Sequence, residues 1–404
     1  MPWKESDTMS LKKSFVLRAV SGRESMSDLC REFGISRKTG HKWRERFIAY
    51  GFAGLEDQSR RPQTCPNALD EDRICRLIRL RQAHPHWGPR KLAELWRRSY
   101  DDSVPSESTF KRVLNKAGLM NKRKRRTRLE GVRIQQPAFQ PKAPNEVWTV
   151  DFKGWWLCKE KGRCEPLTVR DAFSRYIICA LPLKDTKTET VREAFETLFK
   201  RYGLPRVIRS DNGSPFASKN APLGLTRLSA WWISLGISLD RIDPGRPDQN
   251  GAHERMHRDI ALEVEANAQR SHHENTQTLE LWRKTYNEQR PHEAIAMKCP
   301  RELYRDSPRK YPATPHDIDY PEGYIIRSVH KRLGDIKIQR KRIFITTTLG
   351  GWSIGLKPIN EEELSVWFGA LELGTLNIKT ESFTGARAPV NEPTLDPKTV
   401  TTNL

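Results

Sequence analysis

Apolar positions recur with a helical period through the first 120 residues of the chain. Serines at positions 25 and 36 stand where helix caps are expected, and Gly34 separates two short helical patterns, so a helix, a tight turn and a second helix are predicted. A linker around residues 59–70 precedes a second helical block, which ends in a capped basic helix after Pro105. We therefore predict all-α helix-turn-helix modules over residues 1–60 and 70–120, unless these are ordinary helical hairpins.

The hydrophobic period changes to two after Pro144. Trp148, Val150 and Phe152 share one side of a predicted strand, and Asp151 lies on the other side, which we expect to be half exposed. Two further strand-like runs, a helix over residues 188–202, a strand before position 211, a helix around Trp231 and another strand follow. Helices are then predicted from about position 250 and from about position 279. This order predicts a central mixed α/β core over residues 145–305.

The last quarter of the chain is rich in strand-like runs. A small β-rich domain is predicted over residues 322–380, with the strand 342–348 joined through Gly350 and Gly351 to a strand that begins at Trp352. Residues 384–404 are polar and contain three prolines, so a disordered tail is predicted.

Charge narrows the class of partner. Lys and Arg number 71 against 50 acids, a net charge of +21, which favours a polyanion, and we expect double-stranded DNA rather than a merely soluble basic protein or a ribosomal-type one. The linker over residues 121–144 begins with six basic residues in eight and is expected to track phosphates. No apolar run approaches the roughly 18 residues of a membrane span, and seven cysteines, an odd number, favour reduced thiols in a cytoplasmic protein.

DNA contacts are predicted in four places: Arg37, Lys38, Thr39, His41 and Lys42 in the first module; Ser108, Lys111 and Arg112 in the second; Lys122, Arg123, Lys124, Arg125 and Arg126 in the linker; Asn250 and Arg258 in the core.

Three acids are placed where metal-dependent phosphodiester chemistry needs them. Asp151 lies within a strand, Asp211 at a strand end, and Glu254 one turn into a helix. Two divalent cations can be held by carboxylates that converge from separate elements, because Mg²⁺ prefers oxygen ligands and keeps several waters. The predicted catalytic and metal-binding residues are therefore Asp151, Asp211 and Glu254.

Several neighbouring residues compete for these roles. An ion pair with Arg170 or Arg175 is favoured for Asp171, although its carboxylate could reach the same metals. The two histidines beside Glu254 are expected on the surface or against phosphate. Three more acids compete with Glu254: Asp240, Asp243 and Asp248. Near the acids, the cations Lys153 and Arg209 could contact phosphate or pair with a carboxylate.

Three segments together resemble the acidic motifs of bacterial insertion-sequence transposases with a retroviral-integrase-like (DDE) core. They are Trp148-Thr-Val-Asp151, Ser210-Asp-Asn-Gly-Ser-Pro-Phe216 and Pro247-Asp-Gln-Asn-Gly-Ala-His-Glu254. The segment Tyr286-Asn-Glu-Gln-Arg-Pro-His292 resembles the end of that core, and His84-Pro-His-Trp-Gly-Pro-Arg90 resembles the helix-turn-helix region before it. The resemblance covers roughly residues 10–305. One departure is the 42 residues between Asp211 and Glu254, an excess that we expect in the loop over 219–224.

The resemblance implies an RNase H-like fold, two Mg²⁺ ions per site (Mn²⁺ may substitute), hydrolytic nicking at element ends and strand transfer by the freed 3′-hydroxyl. It also implies action as a homo-oligomer on element ends and target DNA, in the nucleoid-associated cytoplasm of a bacterium. Two different functions stay open on the same fold: a catalytically inactive DNA-binding regulator, and a structure-specific nuclease without strand transfer.

Overall fold

The computed structural model describes residues 7–57, 68–120, 140–243, 247–313 and 317–386, with the side chains of positions 247 and 248 left out. The chain divides into two units, Met1–Asp70 and Glu71–Leu404. None of the helices in the described ranges is long and apolar enough to cross a membrane.

Three helices and a 3₁₀ turn form the first unit. They are α1 (Thr8–Ser21), α2 (Met26–Glu32), α3 (Arg37–Tyr50) and the turn Gly51–Leu55. The Ser25 side chain accepts a hydrogen bond from the backbone N–H of Asp28, and Ser36 accepts one from Thr39, so both predicted serine caps are formed. Gly34, with φ of +64°, supplies the left-handed turn between α2 and α3.

The second unit begins with another trio of helices, α4 (Glu71–Ala83), α5 (Pro89–Ser99) and α6 (Glu107–Lys116). Trp96 and Phe110 pack edge to face in its core with ring centroids 5.9 Å apart. Ser106 accepts a hydrogen bond from the Thr109 N–H at the start of α6. The predicted order of cap and basic helix is therefore present.

A five-stranded mixed sheet forms the centre of the second unit. Its strands are β1 (Val147–Phe152), β4 (Pro166–Asp171), β5 (Ile177–Pro182), β6 (Val207–Ser210) and β7 (Ser238–Arg241), and a short hairpin, β2 (Trp156–Leu157) and β3 (Arg163–Cys164), follows β1. The order is β5-β4-β1-β6-β7. β4 runs antiparallel to β1 and β5, whereas β6 runs parallel to β1 and β7. The predicted mixed α/β core is confirmed.

Helices cover both faces of this sheet. On one face, α7 (Thr188–Tyr202) and α8 (Arg227–Ser234) pack on apolar side chains that include Trp148 and Val150. On the other face lie α9 (Gly251–Glu263) and α10 (His272–Glu288), followed by α11 (Pro300–Leu303). The segment after α11 also packs on this core, because Ser307 donates a backbone hydrogen bond to the Tyr202 carbonyl over 2.8 Å.

The C-terminal block is all β, as predicted. Its strands are β8 (Ile325–Ser328), β9 (Asp335–Ile338), β10 (Lys341–Phe344), β11 (Ser353–Pro358), β12 (Glu363–Phe368), β13 (Leu371–Asn377) and β14 (Ser382–Gly385). Five form an antiparallel sheet in the order β14-β13-β12-β11-β8, and β9 pairs with β10. Its core includes Leu225 and Ala230, so the block packs on the α8 side of the central core. The Leu223 N–H, in the 219–224 loop, donates to the Ala386 carbonyl over 3.1 Å.

Two predicted boundaries in the C-terminal block need correction. The strand predicted over 342–348 ends at Phe344 in β10 and pairs with β9, whereas β11 pairs with β8 and β12. A 3₁₀ turn over Thr347–Leu349 separates β10 from β11, and its cap is Thr346 Oγ1, which accepts a hydrogen bond from the Thr348 N–H. The tail is ordered at its start, because Thr384 in β14 pairs with Thr375 in β13. Residues 387–404 lie outside the described ranges.

Two predictions in the core need correction. The second side of β1 is not half exposed near Thr149, which is 3% exposed because α9 covers it. Helix α10 begins at His272 rather than near position 279. Its first turns are polar and are fixed by a cap in which Ser271 accepts from the Glu274 N–H, so the hydrophobic period does not reveal them.

Candidate active site

Asp151 and Asp211 lie at the carboxyl ends of two neighbouring parallel strands. β1 and β6 pair with Thr149 opposite Arg209, and in the same register Asp151 is level with Asp211, which directly follows β6. Alternate residues of a strand share a face and neighbouring strands lie about 4.8 Å apart. Both carboxylates therefore belong to the face of the sheet that α9 covers.

The start of α9 brings Asn250 and Glu254 to the same edge. Asn250 is 8% exposed, and its Nδ2 donates to Asp151 Oδ2 over 3.3 Å. Arg170 Nη1 donates to the carbonyl of Ala252 over 2.9 Å and so fixes the first turn of α9 to β4. Glu254 lies in that first turn with an exposed side chain. Asn250 thus belongs to the acid cluster and not to the exposed surface expected of a DNA contact.

The acids influence one another electrostatically. Burial, together with the negative charges of Asp211 and Glu254, raises the pKa of Asp151 to about 7. Asp211 Oδ1 is buried and has no hydrogen-bond partner among the described residues. A Cβ atom at position 213 would lie 2.8 Å from Asp211 Oδ2, so Gly213 leaves room for this carboxylate. Clustered carboxylates with an unsatisfied oxygen are a donor set that suits a hard divalent cation.

Two threonines and two histidines lie beneath the acids. Thr168 Oγ1 is 2.7 Å from Nε2 of His253 and 2.7 Å from Nε2 of His257, and it donates to the Asp151 carbonyl over 2.8 Å. Nδ1 of His253 lies 2.9 Å from the Thr149 hydroxyl. Burial lowers the pKa of His257 to about 3 and moves that of His253 well below its usual value. Both rings are therefore neutral at neutral pH.

This network corrects the expectation that the two histidines lie on the surface. His253 is fully buried, and one ligand atom from each of Asp151, His253 and His257 lies within 4.8 Å of the others. The sequence contained a signal that the two histidines act together, because a spacing of four residues puts both rings on one face of α9. What the pattern lacked was the information that this face lies on β1 and β4.

The competing acids have other partners. Asp171 is not in an ion pair with Arg170 or Arg175, because its carboxylate accepts hydrogen bonds from the Asn145 N–H over 2.7 Å and from Ser174. Burial raises its pKa.

Asp240 and Asp243 also have side-chain partners. Asp240 Oδ2 pairs with Arg209 Nη2 at 2.6 Å, and Asp243 Oδ2 accepts from Gln249 Nε2 over 2.8 Å. Lys153 pairs with Glu265 at 2.6 Å, so Lys153 and Arg209 each have a carboxylate partner. The side chain of Asp248 lies outside the described part of the chain.

Most of the predicted DNA contacts that are described lie at the surface. In α3, Arg37, Lys38 and Lys42 are exposed, whereas Thr39 and His41 are half-buried and the Thr39 backbone N–H serves the Ser36 cap. The exposed positions elsewhere are Ser108, Lys111 and Arg112 in α6 and Arg258 in α9. The linker residues 122–126 lie outside the described ranges.

Domain families match both the helical N-terminal region and the central core of the chain. An integrase core domain family matches residues 141–247 and a second one matches residues 235–300, so together they contain Asp151, Asp211 and Glu254. A helix-turn-helix domain family matches residues 11–63, and a homeodomain-like family matches residues 39–114.

Two insertion-element proteins are similar to this chain across the core. One, an uncharacterized protein of insertion element IS407 from Burkholderia multivorans, is 29% identical over 242 residues, which is 59% of this chain and 82% of the relative. The other, from insertion element IS476 of Xanthomonas euvesicatoria, is 29% identical over 244 residues, or 59% and 66% of the two chains. The chain is therefore similar to insertion-element proteins and contains integrase core domain matches. The predicted resemblance to insertion-sequence transposases with an integrase-like core is confirmed by these matches.

Solved integrases are similar to the central core of this chain as well. The catalytic core domain of BIV integrase is 21% identical, covers 40% of this chain and 93% of its own, and superposes with a TM-score of 0.31. The HTLV-2 integrase core in complex with magnesium is 20% identical, with coverages of 41% and 99% and a TM-score of 0.31. At these TM-scores the structural likeness adds nothing to the sequence matches.

Proposed function

We propose that this chain is a DNA transposase that binds the terminal repeats of its element, hydrolyses a phosphodiester bond there and joins the freed 3′-hydroxyl to target DNA. The integrase core and the helix-turn-helix domains support DNA transposition or integration in general. One observation carries the finer proposal. Asp151 and Asp211 end neighbouring parallel strands, Glu254 meets them from α9, and an oxygen of Asp211 is buried without a partner among the described residues.

In this proposal Asp151, Asp211 and Glu254 hold two Mg²⁺ or Mn²⁺ ions. When bound, such ions supply stabilisation of the attacking and leaving oxygens of an in-line displacement. Asn250 orients Asp151 through the hydrogen bond to its Oδ2, and Gly213 keeps the approach to Asp211 open. Arg170 holds the helix start that carries Glu254. Burial and then the charges of Asp211 and Glu254 raise the pKa of Asp151, which supports this assignment because such a cluster resists full ionisation without a cation.

The basic helices α3 and α6 would bind the terminal repeats. Their exposed side chains at positions 37, 38, 42, 108, 111 and 112 can contact phosphates and groove edges. We expect a homo-oligomer in the active complex, since the two ends of an element must be cut together. The basic residues of the linker would contribute further phosphate contacts.

The test compares Asp211→Asn with Asp306→Asn in a Mg²⁺-dependent assay on labelled terminal-repeat DNA. Asp306 is exposed and lies outside the acid cluster, so its variant controls for the loss of one carboxylate. We expect Asp211→Asn to lose nicking and joining by at least about 10²–10³-fold, of the order that removal of one transition-state-stabilising group costs, while end binding in a mobility-shift assay stays unchanged. Undiminished nicking by Asp211→Asn would refute the site assignment.

The products that the wild-type protein forms from element-end DNA and target DNA distinguish a transposase from the two alternative functions. A transposase nicks element ends and yields joined products with target DNA. An inactive regulator binds the ends without nicking them in either metal, and a structure-specific nuclease releases cut ends that are never joined.

A further inference from the structure

His257 and Asp151 face each other across a short gap. Nδ1 of His257 lies 3.9 Å from Oδ2 of Asp151, and the side chains are 13% and 23% exposed. This distance is too long for a hydrogen bond between the two atoms. Whether these two atoms attract or repel each other therefore depends on which of them carries a proton.

The hydrogen bonds of Thr168 decide where the imidazole proton lies. Its hydroxyl has one hydrogen, which it donates to the Asp151 carbonyl over 2.8 Å. Nε2 of His257, 2.7 Å from Thr168 Oγ1, must then be the donor in that contact. In the neutral ring of His257 the lone pair consequently lies on Nδ1, the atom that faces Asp151.

When Asp151 is ionised, as it is when it binds a metal ion, two acceptors face one another in a partly buried place. An ionised carboxylate has only acceptor oxygens, and Asn250 Nδ2 donates to Oδ2 over 3.3 Å. Opposed lone pairs repel unless a cation lies between them. Two ligands about 2.0–2.2 Å from one ion lie about 3 Å apart when adjacent and about 4.2 Å apart when opposite, so the 3.9 Å between Nδ1 and Oδ2 lies within the span of a single ion.

We propose that His257 is a nitrogen ligand of the metal ion bound by Asp151, and that it biases this site towards Mn²⁺ over Mg²⁺. Mg²⁺ prefers oxygen ligands, whereas imidazole nitrogen binds first-row transition ions more strongly. The Thr168 hydroxyl is the outer partner that fixes the ring, as a ligating histidine requires. The inference rests on the proposed function only in taking Asp151 as a metal ligand, and it adds a residue outside the acidic motifs.

The test uses the full chain with MnCl₂ and pulsed electron paramagnetic resonance. We expect a ¹⁴N coupling typical of direct imidazole ligation in the wild type, and its loss in His257→Gln. The control is His273→Gln, because His273 is an exposed histidine on α10 whose Nε2 contacts Gln277. The Mn²⁺ dissociation constant should rise at least about tenfold in His257→Gln and remain unchanged in His273→Gln, while the Mg²⁺ dissociation constant, measured by competition, rises less than the Mn²⁺ one.

Each outcome decides for or against the ligand. A ¹⁴N coupling that is absent from the wild type, or that persists in His257→Gln, overturns the inference. If His257→Gln fails to fold, Thr168→Val provides the second variant: it removes the partner of Nε2 and should weaken Mn²⁺ binding more than Mg²⁺ binding, and equal effects on both ions overturn the inference. Failure of nicking in every metal with the ¹⁴N coupling present would count against the proposed function alone.

Discussion

Asp151 links the chemistry of the site to the stability of the fold. Burial and the charges of Asp211 and Glu254 raise its pKa from the ordinary value of 3.8 to about 7. In the unfolded chain the group ionises near its ordinary value, so folding favours the protonated acid between the two pKa values. This group's contribution to stability is therefore complete below about pH 4 and is lost as the pH rises through 7.

We predict that the metal-free protein loses stability between pH 5 and pH 7 through Asp151, by up to about 1.4 kcal/mol per pH unit for one proton. Asp151→Asn should remove that part of the slope. The measurement is urea unfolding at several pH values in EDTA, with the difference between wild type and variant isolating Asp151 from the other titrating groups. Adding Mn²⁺ at pH 7.5 should stabilise the wild type and not the variant. Parallel pH profiles for the two proteins would contradict the prediction.

Individual residues show what the sequence could and could not predict. Asp151 and Asp211 were predictable because strand alternation and strand ends place acids at a sheet edge. Asn250, His253 and His257 were not, since their burial depends on which face of α9 lies on the sheet. That orientation is set by long-range contacts such as the Arg170 bond to the Ala252 carbonyl, 82 positions apart.

At the scale of elements, α9 is held at both ends. Arg290 is 4% exposed; its guanidinium pairs with Asp259 at 2.7 Å and with Glu263 at 3.2 Å on the second half of α9. The same guanidinium lies 5.9 Å from the ring centre of Trp87, which precedes α5. The Trp87 segment, which resembles part of a helix-turn-helix region, thus also packs against the core. Arg290 and Trp87 are 203 positions apart in the chain, so no local sequence pattern could reveal their contact.

We predict that Arg290→Met destabilises the second unit by about 3–5 kcal/mol, because it leaves two largely buried carboxylates without their cation. The matched control is Lys200→Met, which breaks an exposed pair with Glu196 on α7 and should cost no more than about 0.5 kcal/mol. Urea unfolding followed by tryptophan fluorescence measures both. Nearly equal destabilisation by the two variants would mean that Arg290 does not clamp α9.

At the scale of the whole molecule, the net charge of +21 does not translate into an equal number of DNA contacts. Arg209, Arg283 and Arg290 are buried and each pairs with an acid of the fold. Most basic residues of α3 and α6 are exposed instead. The charge therefore predicted the class of partner, but only the packing separates the structural cations from those that can reach a phosphate.

This separation leads to a prediction about salt. Replacing Lys111 and Arg112 of α6 with alanine should weaken binding to terminal-repeat DNA and lower the slope of log affinity against log salt by about 2, since each lost phosphate contact contributes about 0.9. The control replaces Lys184 and Lys200 with alanine; Lys200 lies on α7, on the sheet face away from the acids, and both side chains are exposed. It removes the same charge, so a purely general field effect would weaken binding equally in both variants. Fluorescence anisotropy from 50 to 300 mM KCl measures the slopes. A slope that is unchanged in the α6 variant would remove α6 from the DNA interface and leave α3 and the linker as the candidates.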